Sequence, residues 1–133
     1  MHTSRIRVIY GDTDQMGVVY YANYFRFFEA ARAEFLRALG GDYRTMEAGG
    51  ALLPVIEATC QYKAPARYDD ILRIETRITE VKRVTFTFSY VVVRDGDGQL
   101  LSTGKTVHAC VNREGKPRRL PEQIASWVEP SRS

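Results

Sequence analysis

The segment Asp12-Thr13-Asp14-Gln15-Met16-Gly17 sets two carboxylates ahead of a glycine, and the apolar run that follows reads as a helix. A helix start offers unpaired N–H groups and positive partial charge. Such an end polarises a carbonyl and holds the oxyanion formed when that carbonyl is attacked. A carboxylate beside it activates water or attacks the carbon itself. Gly17 would let a ligand or another backbone come close. Together these residues suit acyl transfer, with a carboxylate on one side of a carbonyl and donors on the other. They also have a plainer use. An Asp before a helix commonly caps it or closes an Asx turn, and spacing alone leaves both uses open for Asp12 and Asp14. The Asp-x-Asp pair could also hold a divalent metal, but no third ligand stands near it. Tyr20, Tyr21 and Tyr24 read as packing aromatics on spacing alone.

The remaining reactive residues offer less. His2 lies at the chain start, and His108 falls mid-strand, where a core role is the ordinary one. There is no Gly-x-Ser-x-Gly elbow, phosphate loop or dinucleotide glycine pattern. Glu29 stands one turn from Arg26 and Arg32, the spacing of a helical ion pair. Lys82-Arg83 reads as a solvated turn or as an anion site. Cys60 and Cys110 lack metal-ligand spacing and read as small buried hydrophobes rather than a disulfide.

The elements that must position these groups follow from periodicity. Residues 5–10 alternate as a strand, 11–17 form a loop, and 18–39 show helical spacing. In that helix Tyr24, Phe28, Ala31, Phe35 and Leu39 share one stripe, and Gly40-Gly41 stops it. After a loop over 41–51, strands are expected over 52–64, 71–82, 84–94 and 99–112. Phe86, Phe88 and Tyr90 fall on one face, and Leu101, Thr103, Val107, Ala109 and Val111 on another. Asp95-Gly96-Asp97-Gly98 reads as a hairpin turn. The tail 121–128 reads as a short helical turn carrying Trp127. One strand, one very apolar helix and four long strands suggest an antiparallel sheet wrapped around the helix. A second copy would cover its bare face or edge.

At 133 residues the chain suits a single domain over 1–133. No apolar run is long enough to span a membrane and no signal segment is visible, so the cytoplasm is expected. The net charge of +3 mildly favours an anionic ligand. Basic residues are scattered and no nucleic-acid motif occurs, so no nucleic-acid partner is expected.

The run Tyr10-Gly11-Asp12-Thr13-Asp14-Gln15-Met16-Gly17-Val18-Val19-Tyr20-Tyr21-Ala22-Asn23-Tyr24, followed by Glu29-Ala30-Ala31-Arg32, resembles the hotdog-fold acyl-CoA thioesterases of the 4-hydroxybenzoyl-CoA thioesterase type. The Tol-Pal-associated branch is especially similar. Tyr62-Lys63-Ala64-Pro65-Ala66-Arg67-Tyr68-Asp69-Asp70 looks like the family's strand-to-strand corner, and the likeness covers residues 5–120. It implies an α+β hotdog fold, a five-stranded antiparallel sheet wrapped around one long central helix. It further implies dimers or tetramers, with active sites at the dimer interface. The implied activity is hydrolysis of acyl-CoA to a carboxylic acid and free CoA, without metal or organic cofactor. By this resemblance Asp14 is the catalytic carboxylate, as general base or nucleophile. The Tyr21 N–H polarises the thioester carbonyl, with Gly17 and Val18 in the same substrate-binding segment. Lys82 and Arg83 match a basic pair that contacts CoA phosphates. One position departs: the Tol-Pal branch has a catalytic His where this chain has Tyr21, as the hydroxybenzoyl enzyme does. A backbone role tolerates that exchange, because an oxyanion donor acts whatever its side chain.

Two other functions use the same scaffold. A non-catalytic acyl-CoA binding or sensing protein would need no carboxylate facing the thioester. A dehydratase or hydratase would need a catalytic His, and the segment around 12–24 has none.

Overall fold

The computed structural model describes residues 1–40 and 43–129. Strand β1 (His2–Arg7) leads through a 3-10 turn (Tyr10–Asp12) to helix α1 (Asn23–Ala38) and the short helix α2 (Tyr43–Ala48). Strands β2 (Val55–Tyr62), β3 (Ile71–Val81), β4 (Thr85–Arg94) and β5 (Leu100–Ala109) follow, then α3 (Glu122–Ala125). The strands form one sheet in the order β1-β3-β4-β5-β2, and every neighbouring pair is antiparallel.

Helix α1 buries Tyr24, Phe27, Phe28, Ala31, Arg32, Phe35 and Leu36. It meets both edge strands, β1 and β2, as well as β3. Five strands span about 19 Å and a helix is about 10 Å wide, so a sheet touching one helix at both edges has to curl around it. The expected sheet-around-helix architecture is therefore the one observed. In the middle, the Phe28 ring stacks on Tyr90 of β4 at 4.3 Å.

Several details depart from the sequence reading, the first being that the opening strand runs over His2–Arg7 rather than 5–10. Helix α1 begins at Asn23, not near Val18. Val18 and Val19 instead bridge Arg67 and Thr13 in extended pairing, which suits β-branched residues. Leu39 ends the helix half-exposed instead of completing the buried stripe, and Gly40 follows with φ of +86°. Gly41 lies outside the described residues. Part of the expected 41–51 loop is α2.

Apart from Leu101, the apolar stripe of β5 is not its buried face. Ser102, Thr106, His108 and Cys110 are buried, while Gly104 pairs with Tyr90 and faces Phe28. A bulge explains the mixed signal. Val92 pairs with Ser102 but Val93 pairs with Leu100, so Leu101 is an extra residue and turns inward. The inner face of β5 is small and polar because aromatic rings from α1 and β4 already fill the space.

His108 joins that core rather than a site. It is 1% exposed. Its Nδ1 lies 3.0 Å from the Leu53 carbonyl and its Nε2 lies 2.9 Å from Thr106 Oγ1. Thr106 Oγ1 lies 2.7 Å from the Tyr90 hydroxyl. A carbonyl only accepts, so Nδ1 donates to Leu53, Nε2 accepts from Thr106, and Thr106 accepts from Tyr90. Burial lowers the His108 pKa from 6.5 to about 4. Between those values the unfolded chain binds a proton that the folded one refuses. Stability is then fully present above pH 6.5 and declines as pH falls toward 4, by about 3 kcal/mol. Urea unfolding at pH 7 and pH 4.5 should show this decline in the wild type and a shallower one in His108→Gln.

Among the described residues, no helix is long and apolar enough to cross a membrane. The tail packs back on the sheet: Val128 bridges Ile78 and Trp127 packs against the core.

Candidate active site

The loop between β1 and α1 folds into a small hairpin. Asp14 N–H donates to the Val18 carbonyl at 2.9 Å and Gly17 N–H to the Asp14 carbonyl at 3.0 Å. Gly17 takes a φ of +78°, which a side chain would strain, and a Cβ there would meet nothing within 4 Å. Gly17 therefore shapes the turn, and its N–H is already engaged. The hairpin is tied to the corner after β2 by Val19 N–H, which donates to Ala66 O at 2.8 Å. That corner is held in turn. Lys63 and Ala64 N–H both donate to Leu101 O, at 2.8 and 3.1 Å. The Arg94 guanidinium donates to Pro65 O at 2.9 Å and to Asp70 at 3.1 Å.

Between these parts lies a cleft of about 360 Å³ lined by Asp14, Met16, Val18, Tyr21, Tyr24 and the stretch from Tyr62 to Pro65. Asp14 is half-buried there. One carboxylate oxygen accepts the Met16 N–H at 2.9 Å, an Asx turn. Among the described residues, the other oxygen has no partner and the carboxylate makes no ion pair. The Asx turn thus occupies one oxygen of the carboxylate.

Tyr21 stands just before the helix start, and its N–H takes part in no backbone hydrogen bond among the described residues. Its carbonyl is fixed by the Tyr62 hydroxyl, which donates to it at 3.0 Å. Tyr62 also packs edge-on against Tyr21 and Tyr24. Burial pushes the Tyr24 phenol up to about 12, and partial desolvation together with the neighbouring Cys60 thiol brings Tyr62 to about 12. Both stay neutral at any working pH, so they shape the cleft and donate hydrogen bonds.

Asp12 has a different part. It is 4% exposed, accepts the Ile9 N–H at 2.9 Å, and pairs with Arg26. Arg26 is thereby drawn to Asp12 instead of the expected Glu29. Lys82 and Arg83 form the turn between β3 and β4, as expected, with Lys82 3.2 Å from Glu80. They lie at the far end of the sheet. Tyr62 aligns through Ser102 and Val92 with Ile74, and Lys82 is eight residues beyond, about 25 Å away. Within one chain the basic pair does not join the Asp14 cleft. Tyr62, Lys63, Ala64 and Pro65 do join it. The sequence marks them as a strand-to-strand corner, with no signal that places them at the site. Among the described residues no three His, Cys, Asp or Glu gather to hold a metal.

Residues 8–128 match the family described as the thioesterase-like superfamily. The chain belongs to that family. It is a hotdog-fold thioesterase, as the two motifs indicated. It is 38% identical over 122 residues to the acyl-CoA thioester hydrolase YbgC of Escherichia coli, covering 91% of this chain and 90% of the relative. It is 32% identical to the 1,4-dihydroxy-2-naphthoyl-CoA hydrolase of Synechococcus elongatus, covering 92% of each. The crystal structure of a hypothetical protein from Aquifex aeolicus superposes with a TM-score of 0.89 at 36% identity, covering 97% of this chain and 100% of that one.

Proposed function

We propose that this thioesterase hydrolyses acyl-CoA thioesters with Asp14 as the reacting carboxylate. The observation that carries the reading is the unpartnered Asp14 oxygen beside Tyr21 at the start of α1, in one apolar-walled cleft. The thioester carbonyl sits with its oxygen toward the Tyr21 N–H. Asp14 takes a proton from water as it attacks the carbon, or attacks the carbon itself. The C–S bond breaks and CoA leaves as a thiolate; where Asp14 has attacked the carbon, water then opens the resulting anhydride, frees the acid and restores the carboxylate. A thiol pKa near 8.5 makes that departure easy without a general acid, which fits the neutral tyrosines around it. The carboxylate and the N–H group suffice chemically, so no metal or organic cofactor enters the scheme.

The protein acts as a homodimer or a higher oligomer in this reading. Among the described residues, strand β2 pairs only with β5, and it is exposed along nearly its whole length. Val55, Ile56 and Tyr62 stand 43%, 59% and 47% exposed. An open edge of this kind invites pairing with a second copy. Antiparallel pairing sets the start of one β2 beside the end of the other. It brings the partner's Lys82–Arg83 end of the sheet toward this chain's Asp14 cleft, where CoA phosphates need cations. Both thiols are free in the structure, which suits the reducing cytoplasm we assign to it.

Free-thiol release from a panel of short, long and aryl acyl-CoAs tests the activity. Turnover of at least one member is expected. Tight binding with no release throughout would leave a binding protein instead. For the assembly, Ile56→Lys places charge on the open edge and is expected to sediment as a monomer with reduced turnover. A wild type that sediments as a monomer at working concentrations while turning over at full rate would refute the shared site.

A further inference from the structure

We propose that Asn23 is a positioning residue for this hydrolysis. Its side-chain amide clasps the Asp12 carbonyl and so sets Asp14 against the start of α1. The inference rests on the thioesterase reading and adds to it a residue that touches no substrate.

Helix starts usually carry Ser, Thr, Asp or Asn at the capping position. Here that position is Ala22, and no side chain caps α1. The asparagine stands one residue later. Its Nδ2 donates to the Asp12 carbonyl at 2.9 Å, and among the described residues the Tyr21 and Ala22 N–H groups just before the helix take part in no backbone hydrogen bond.

Asp12 is well suited to be held. Its carboxylate is anchored at the exit of β1 through Ile9 N–H, at 2.9 Å, and on the first turn of α1 through Arg26. Its carbonyl accepts the Tyr20 N–H at 2.9 Å as well as the Asn23 amide. Asp14 lies two residues after Asp12, and Tyr21 directly follows Tyr20. Both reacting groups therefore hang from one junction. The Thr13–Val19 bridge and the Asp14–Val18 hydrogen bond complete the loop between them. Without the Asn23 amide, Tyr20 N–H still holds the Asp12 carbonyl and the carboxylate keeps both anchors, so the fold survives. The angle between hairpin and helix loses a restraint. Reacting groups displaced by about 1 Å lose about 10²-fold in rate.

The test compares kcat, KM and urea midpoints of wild type, Asn23→Ala, Asp14→Asn and the double variant. Asn23→Ala is expected to lower kcat by about 10²-fold while KM and the midpoint stay close to wild type. In the Asp14→Asn background the same change should cost little further, because the group it positions is gone. If Asn23→Ala fails to fold, Asn23→Ser serves, its hydroxyl being too short to reach the Asp12 carbonyl. Two outcomes overturn the clasp alone: an unchanged kcat in an active enzyme, or equal losses in both backgrounds. A wild type inert toward every acyl-CoA overturns the thioesterase reading and the clasp with it.

Discussion

Asp14→Asn is expected to release thiol from acyl-CoA about 10²–10⁴-fold more slowly than wild type, the range for loss of a positioned acid–base group. The amide is nearly isosteric with the carboxylate. It can still accept the Met16 N–H that fixes the side chain at 2.9 Å, so the hairpin should persist. It can neither take a proton from water nor form an anhydride. KM should change little, because the cleft walls and the Tyr21 N–H are untouched. Unchanged circular dichroism and sedimentation would assign the loss to chemistry. A variant within a factor of a few of wild type would remove Asp14 from the mechanism. A single turnover in ¹⁸O-water then identifies one nucleophilic route, because unlabelled acid can arise only from an anhydride opened at the Asp14 carbon. A general base puts solvent oxygen into the first product. A nucleophile whose anhydride is opened at the Asp14 carbon gives a first product with unlabelled oxygen and leaves the label in the side chain.

The loop around Asp14 was legible because its interactions are local. A carboxylate, a glycine and a coming helix all lie within a few residues, and the Asx turn and the hairpin involve only near neighbours. The helix start was misplaced for a non-local reason. Val18 and Val19 carry the apolar spacing of a helix, but Arg67 and Ala66 capture them in extended pairing. The far wall of the cleft was hidden for the same cause. Tyr62 to Pro65 reach Asp14 only after β2 has been laid along β5 and turned. The strands were easy to find, since period-two alternation survives in β3 and β4. On β5 one extra residue at Leu101 exchanges the two faces, and nothing in the alternation marks where it falls. Lys82 and Arg83 were legible as a turn, but their distance from the cleft depends on strand order.

Gly104→Ala should destabilise the fold more than a methyl group added to any other glycine among the described residues. A Cβ at this position would lie 2.4 and 2.5 Å from Phe28 Cε2 and Cζ and 2.9 Å from the Thr59 carbonyl. Real Cβ contacts never come so close, so something must move. Phe28 has little room, being fully buried and stacked on Tyr90 at 4.3 Å with the rings 6° from parallel. Tyr90 is itself fixed through its hydroxyl to Thr106. The Thr59 carbonyl belongs to β2, so backing away from it strains the pairing with β5. Overpacking of this kind costs about 3 kcal/mol at the upper end of its usual range, a large part of a small domain's stability. Urea unfolding of Gly104→Ala should show that loss, while Gly96→Ala, where a Cβ meets nothing within 4 Å, should stay near wild type. Pairing Gly104→Ala with Phe28→Leu removes the ring that clashes, so the two losses should fall short of additive. Strict additivity would mean that the contact between helix and sheet at this point is looser than the stacked rings imply.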